Sequence, residues 1–150
     1  RWPGVVAAGK TNRQTVVTAV DLLPTFAALA GATLPGNYQS DGENMLAALQ
    51  GKEQQRSKPI HWEWRGGTKD KEELWPHLGV RAGRWKLLIN DELGRVELYD
   101  IAADWAEEED LAAGNPGVVK DLRKKILDWQ KSLPAQPDPT CFSAERLGQE

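Results

Sequence analysis

The strongest constraint on this chain is one long amphipathic segment. Asn115 suits a helix cap and Pro116 a first helical position. Val119, Leu122, Ile126, Trp129 and Leu133 then recur at spacings of three and four, and Pro134 closes the run. A helix over 116–133 would be about 27 Å long with a single apolar stripe. A stripe of that kind must be buried against another element.

The partner nearest in sequence reads as β. Ile60, Trp62 and Trp64 alternate with His61, Glu63 and Arg65, the period of a strand over 59–64. Runs at 78–81 and 84–89 flank Ala82-Gly83 as a hairpin, and 95–99 follows a turn at 90–94. Four short antiparallel strands are stable once one face is covered. The expected class is α+β, a four-stranded antiparallel sheet packed by a long C-terminal helix.

Upstream, Trp2-Pro3-Gly4 is a turn signal. Asp21 reads as the N-cap of a helix carrying Leu22, Leu23, Phe26, Ala27 and Ala30, with Gly31 as terminator. Pro24 then falls in the first turn, where its missing N–H costs nothing. A start at Thr18 would place it in the interior, at about 3 kcal/mol. Residues 32–43 read as loop, Met45, Leu46 and Leu49 as the face of a short helix stopped by Gly51, and 51–58 as a subdomain boundary. Residues 66–76 form a polar loop. Residues 100–114 are acidic and irregular, with one helical turn expected over 110–113. The 135–150 tail is expected to be partly disordered.

Charge and cysteine content narrow the function. Nineteen Lys and Arg face 22 Asp and Glu, a net charge of −3, against the basic footprint of a nucleic-acid binder. No apolar run approaches the roughly 20 residues of a membrane span. One cysteine, Cys141, excludes an internal disulfide framework and a multi-cysteine zinc site. The sequence opens at Arg1 rather than Met, which leads us to expect the C-terminal piece of a longer protein.

Side chains that could carry chemistry are few. His61 and Glu63 share a strand face, expected to be solvated or half-buried. His77 follows the 66–76 loop. Cys141 sits in a polar tail without a histidine nearby. The acidic run 107–110 lacks the alternating ligands and turn glycine of a calcium loop. Lys120, Arg123, Lys124, Lys125 and Lys131 form the polar helix face. Trp62 and Trp64 share one strand face and read as core, as does Trp129 on the helix stripe. Trp75, beside Pro76 and His77, is the candidate exposed platform for a sugar ring. No Gly-rich phosphate loop, G-x-S-x-G elbow or Ser-His-Asp set is evident.

Five motifs in order resemble the type I, formylglycine-dependent sulfatases of the alkaline phosphatase superfamily. Arg1-Trp2-Pro3-Gly4 is similar to their RWPG. Thr18-Ala19-Val20-Asp21-Leu22-Leu23-Pro24-Thr25 with Leu29-Ala30-Gly31 resembles VDLLPT…LAG. Asp41-Gly42 with Leu46, Leu49 and Gly51 resembles DG…LLPLLxG. The run from Gly79 to Leu88 resembles AVRxGxWKLI, and Glu97-Leu98-Tyr99-Asp100 resembles the start of ELYDLxxDPxExxNLA. Trp105-Ala106 replace the usual Pro-Gly, and Asp110 stands where Asn is common.

The resemblance implies a piece crossing a domain boundary. Residues 1–50 would be the helical C-terminal edge of a larger α/β/α catalytic domain, 51–134 the C-terminal subdomain, and 135–150 a tail. The parent would hydrolyse sulfate esters, of aryl alcohols or carbohydrates, using formylglycine and calcium. This chain has no C/S-x-P-x-R motif, so no catalytic residue and no metal ligand is assigned, and it should be inactive alone. Trp64, Arg65 and His77 are the substrate-lining candidates. Implied partners are the parent's own catalytic domain and a sulfated small molecule or carbohydrate. The helix over 21–30 should expose an apolar patch, to be covered by self-association or by a partner. The resemblance implies a periplasmic or secreted protein. The alternatives are a non-catalytic carbohydrate-binding module and a piece of a related phosphonate or phosphodiester hydrolase.

Overall fold

A computed structural model describes residues 2–64 and 75–135. The candidate Arg65, positions 66–74 of the expected 66–76 loop, Cys141 and the expected tail from 136 on lie outside the described residues.

The sheet is a meander of β1 (Ile60–Glu63), β2 (Leu78–Ala82), β3 (Trp85–Asn90) and β4 (Arg95–Asp100), every neighbour antiparallel. Register pairs Ala82 with Trp85 and Asn90 with Arg95. Gly83 (φ +59°) and Gly94 (φ +62°) supply the left-handed turn positions. The two faces differ in chemistry. Leu78, Val80, Leu87, Ile89 and Leu98 point to one side and form a core with Leu122 and Ile126 of helix α3 (Pro116–Ser132). Partners of the register place Trp62, Arg81, Lys86, Glu97 and Tyr99 on the other face.

The helix ends one residue earlier than its periodicity suggests. Pro134 excludes the helical region for Leu133, which is extended (φ −77°, ψ 151°). Asn115 does not cap through its side chain. Its Nδ2 instead donates to the Leu111 carbonyl at 2.9 Å.

The expected helical turn over 110–113 is absent. The Asp110 carboxylate accepts from the Leu98 N–H (3.0 Å) and the Ala112 N–H (2.9 Å), and the Leu111 N–H donates to the Leu98 carbonyl (2.8 Å). The segment thus bonds to the outer edge of β4 at 110–111, and the chain turns only after it, where the Asn115 N–H donates to the Ala112 carbonyl at 3.2 Å. Earlier in this loop the Asp104 carboxylate accepts from the Glu109 N–H at 2.9 Å, and Glu107 pairs with Lys86 at 2.5 Å. The acidic run is structural wiring as well as solvated surface.

In the first part of the chain, a turn of 3₁₀ helix, Ala19–Asp21, leads into α1 (Leu22–Leu29), and α2 is Leu46–Leu49. Asp21 precedes α1 as expected but is not its side-chain cap. It is fully buried, accepting from the Thr18 N–H (2.8 Å), the Glu43 N–H (2.9 Å) and Arg56 Nη1 (2.5 Å). The buried Thr25 hydroxyl accepts from the Met45 N–H at 2.9 Å. Gly42 passes so close that an added Cβ would lie 2.0 Å from the Val20 carbonyl oxygen. Residues 18–25 are therefore clipped to 42–56 by buried polar bonds, and Met45 fills the space beneath. Little apolar surface is covered in return: Leu22, Leu23, Phe26 and Leu29 all stay exposed.

Candidate substrate-facing rim

Antiparallel pairing brings the end of β1, the start of β2, the end of β3 and the start of β4 to the same end of the sheet. Trp64 and His77 meet there. The Trp64 N–H donates to the His77 carbonyl at 2.8 Å, extending the β1–β2 ladder by one bond. The Trp64 side chain is 57% exposed, and His77 Nε2 lies 3.7 Å from Glu63 Oε1. Trp64 is thus an open apolar plate, with an imidazole held on the adjoining strand.

Trp75 departs from the expectation of a free platform. It is half-buried, with the Arg95 guanidinium 4.1 Å from its ring centroid. Arg95 in turn pairs with Glu97 (3.1 Å), which accepts from the Tyr99 hydroxyl (2.8 Å). Burial first, and then the Glu97 carboxylate, push the Tyr99 phenol above its ordinary range. This ladder lies 20 residues and more from Trp75 in sequence, and no local signal announces it. Trp62 lies flat across Gly79, where an added Cβ would approach its ring to 2.4 Å, with Lys86 Nζ 5.5 Å from the ring.

His61 and Glu63 share a face as expected, but that face lies under α3. The His61 ring stacks on Trp129 with centroids 5.1 Å apart, and Gln130 Nε2 donates to Glu63 at 3.0 Å. Burial foremost lowers the His61 pKa, Lys125 adds to this, and Asp41 opposes it. A neutral stacked ring is packing, not an acid–base group aimed at solvent. Among the described residues no group of three or more His, Cys, Asp or Glu side chains could hold a metal ion. None of their helices is long and apolar enough to cross a membrane.

Comparison with known proteins gives this arrangement a family. The family described as N-sulphoglucosamine sulphohydrolase, C-terminal, matches residues 1–132. A sulfatase of Formosa agariphila is 28% identical, the match taking in 86% of this chain and 26% of that protein. An N-acetylgalactosamine-6-O-sulfatase of Bacteroides thetaiotaomicron is 26% identical over 84% of this chain and 25% of its own length. The solved structure of Ps i-CgsB is similar with a TM-score of 0.67 at 33% identity, covering 85% of this chain and 27% of that one. The chain spans about a quarter of the length of the proteins it matches. The sheet, the closing helix and the clipped VDLLPT segment are those of a sulfatase's C-terminal portion, and the chain belongs to the N-sulphoglucosamine sulphohydrolase C-terminal family.

Proposed function

We propose that the chain completes an enzyme that hydrolyses sulfate esters of saccharides, contributing the rim of the substrate mouth and not the reacting groups. The family match over 1–132 carries this reading. The saccharide follows from relatives: one is named for N-acetylgalactosamine 6-O-sulfate, and Ps i-CgsB has been solved with k-i-k-neocarrahexaose. At the rim, Trp64 would stack on a sugar face while His77 and Arg65 donate hydrogen bonds to hydroxyl or sulfate oxygens. The calcium and formylglycine of such enzymes would come from outside the described residues, which hold no matching ligand cluster. The exposed apolar face of α1 would pack on the parent's catalytic domain and, in the isolated chain, on a second copy. A periplasmic or secreted location accords with a polymeric sulfated substrate.

The test is sulfate release by the full-length protein from sulfated disaccharides. Trp64→Ala should raise KM several-fold with little change in kcat, the signature of lost binding that ground and transition states share. A full-length protein that cleaves phosphate or phosphonate esters and leaves sulfate esters intact would overturn the reading.

A further inference from the structure

At the opposite end of the sheet from the rim, the β2–β3 turn meets residues 13–16 and 55–56 across a cavity of about 580 Å³. Among the described residues, four arginines, Arg13, Arg56, Arg81 and Arg84, line it, and no carboxylate does. Two of the guanidinium groups are spoken for in part. Arg56 pairs with Asp21 and Glu43 and donates through Nε to the Lys58 carbonyl, and Arg84 pairs with Asp100. Arg13 and Arg81 enter no ion pair among the described residues. Arg56 Nη2 and Arg81 Nε are buried donors without a hydrogen-bond partner, although the Arg56 side chain is only 8% exposed. Burying a charge-bearing donor unsatisfied is costly, and native structures usually complete such a group with an ordered water or a bound ligand.

We propose that this cavity binds the sulfate group of a saccharide at a position that is not being hydrolysed. Guanidinium forks match an oxyanion's paired oxygens better than any other side chain does. The volume falls in the range of small-molecule sites and exceeds what a bare ion fills. Gln14 and Gln55 line the same space and can donate to or accept from sugar hydroxyls. The length of β2 separates the cavity from Trp64 and His77 by about 15 Å, so it would hold a different residue of an extended chain from the one at the rim. The arginines alone call for an oxyanion; its assignment to a sulfated sugar rests on the function proposed above.

Binding to the full 150-residue chain would be followed by calorimetry and by side-chain NMR of the Arg81 Nε–H. The ligands are a 6-sulfated disaccharide, its desulfated form and inorganic sulfate, at matched ionic strength. The expected result is binding of the sulfated disaccharide, no binding of the desulfated one, and at least tenfold weakening in both Arg81→Gln and Arg13→Gln. Arg13 is exposed, and its replacement keeps the test valid should Arg81→Gln disturb the sheet. Inorganic sulfate binding as tightly as the sulfated sugar would overturn the saccharide assignment while leaving the oxyanion site. Equal binding of both disaccharides, no binding at all, or affinity unchanged in both variants would overturn the site. Sulfate release by the full-length protein is scored separately, so loss of one reading does not hide in the other.

Discussion

Replacing Asp21 by Ala removes the centre of the buried polar clip between α1 and residues 42–56. Asp21 is fully buried and the Arg56 side chain nearly so. The substitution strands a guanidinium and the N–H groups of Thr18 and Glu43, bonded at 2.5, 2.8 and 2.9 Å. Removing one member of a buried ion pair costs about 3–5 kcal/mol, the upper end requiring a partner left wholly uncompensated, whereas Arg56 keeps Glu43 at 3.8 Å from its Nε. At about 2–4 °C per kcal/mol for a chain of this size, the midpoint should fall by roughly 6–20 °C. The assay is thermal unfolding by circular dichroism in a cycle with Arg56→Met. The double variant should lose at least 1 kcal/mol less than the two single losses added. A loss below 1 kcal/mol for Asp21→Ala, or strict additivity, would refute the clip. Its pH dependence is signed. Burial alone would raise the Asp21 pKa, but the Arg56 hydrogen bond and the Glu43 and Thr18 N–H groups outweigh it and hold it below the ordinary value. The stabilisation is therefore present above about pH 4 and lost as pH falls through the folded value.

Gly79→Ala drives a methyl into the Trp62 ring and should cost about 1–3 kcal/mol, with a changed tryptophan emission spectrum; unaltered emission and stability would show that the ring is not seated there. Phe26→Glu, on the exposed face of α1, should change stability by less than about 0.5 kcal/mol yet reduce self-association of the chain in sedimentation; an unchanged association constant would place the contact elsewhere. Because the folded pKa of His61 lies below its unfolded value, its contribution should be full above about pH 6.5 and decline as pH falls toward the folded value. Urea midpoints at pH 7 and pH 5 should show this decline, and His61→Gln should flatten it. An equal decline in the variant would assign the effect to other groups.

The sheet and helix were legible because their signals are local. Alternation in β1, the glycine turns and the 119–133 stripe each state a period, and the core they imply is the one found. The clip was not legible in the same way. Asp21 reads as a helix cap because its neighbours are helical, yet its partners stand 22 and 35 residues on, at Glu43 and Arg56. Trp75 reads as an open plate because nothing near it in sequence covers a ring, whereas Arg95 arrives from another strand. His61 and Glu63 were placed correctly on one face, but periodicity does not say which face receives the helix. The arginine cavity likewise draws on segments spread from Arg13 to Ala102, and each arginine alone looks like ordinary surface charge.

The bond from the Trp64 N–H to the His77 carbonyl has an evolutionary consequence. It fixes strand register on the sheet side of the junction, so the ten positions 65–74 can be exchanged or lengthened without re-pairing β1 with β2. Doubling such a connection adds only about 0.6 kcal/mol of closure entropy. The rim is thus a graft point. Under the function proposed above, lineages sharing this scaffold would acquire new saccharide preferences by splicing different segments onto an unchanged hairpin, with little penalty to folding.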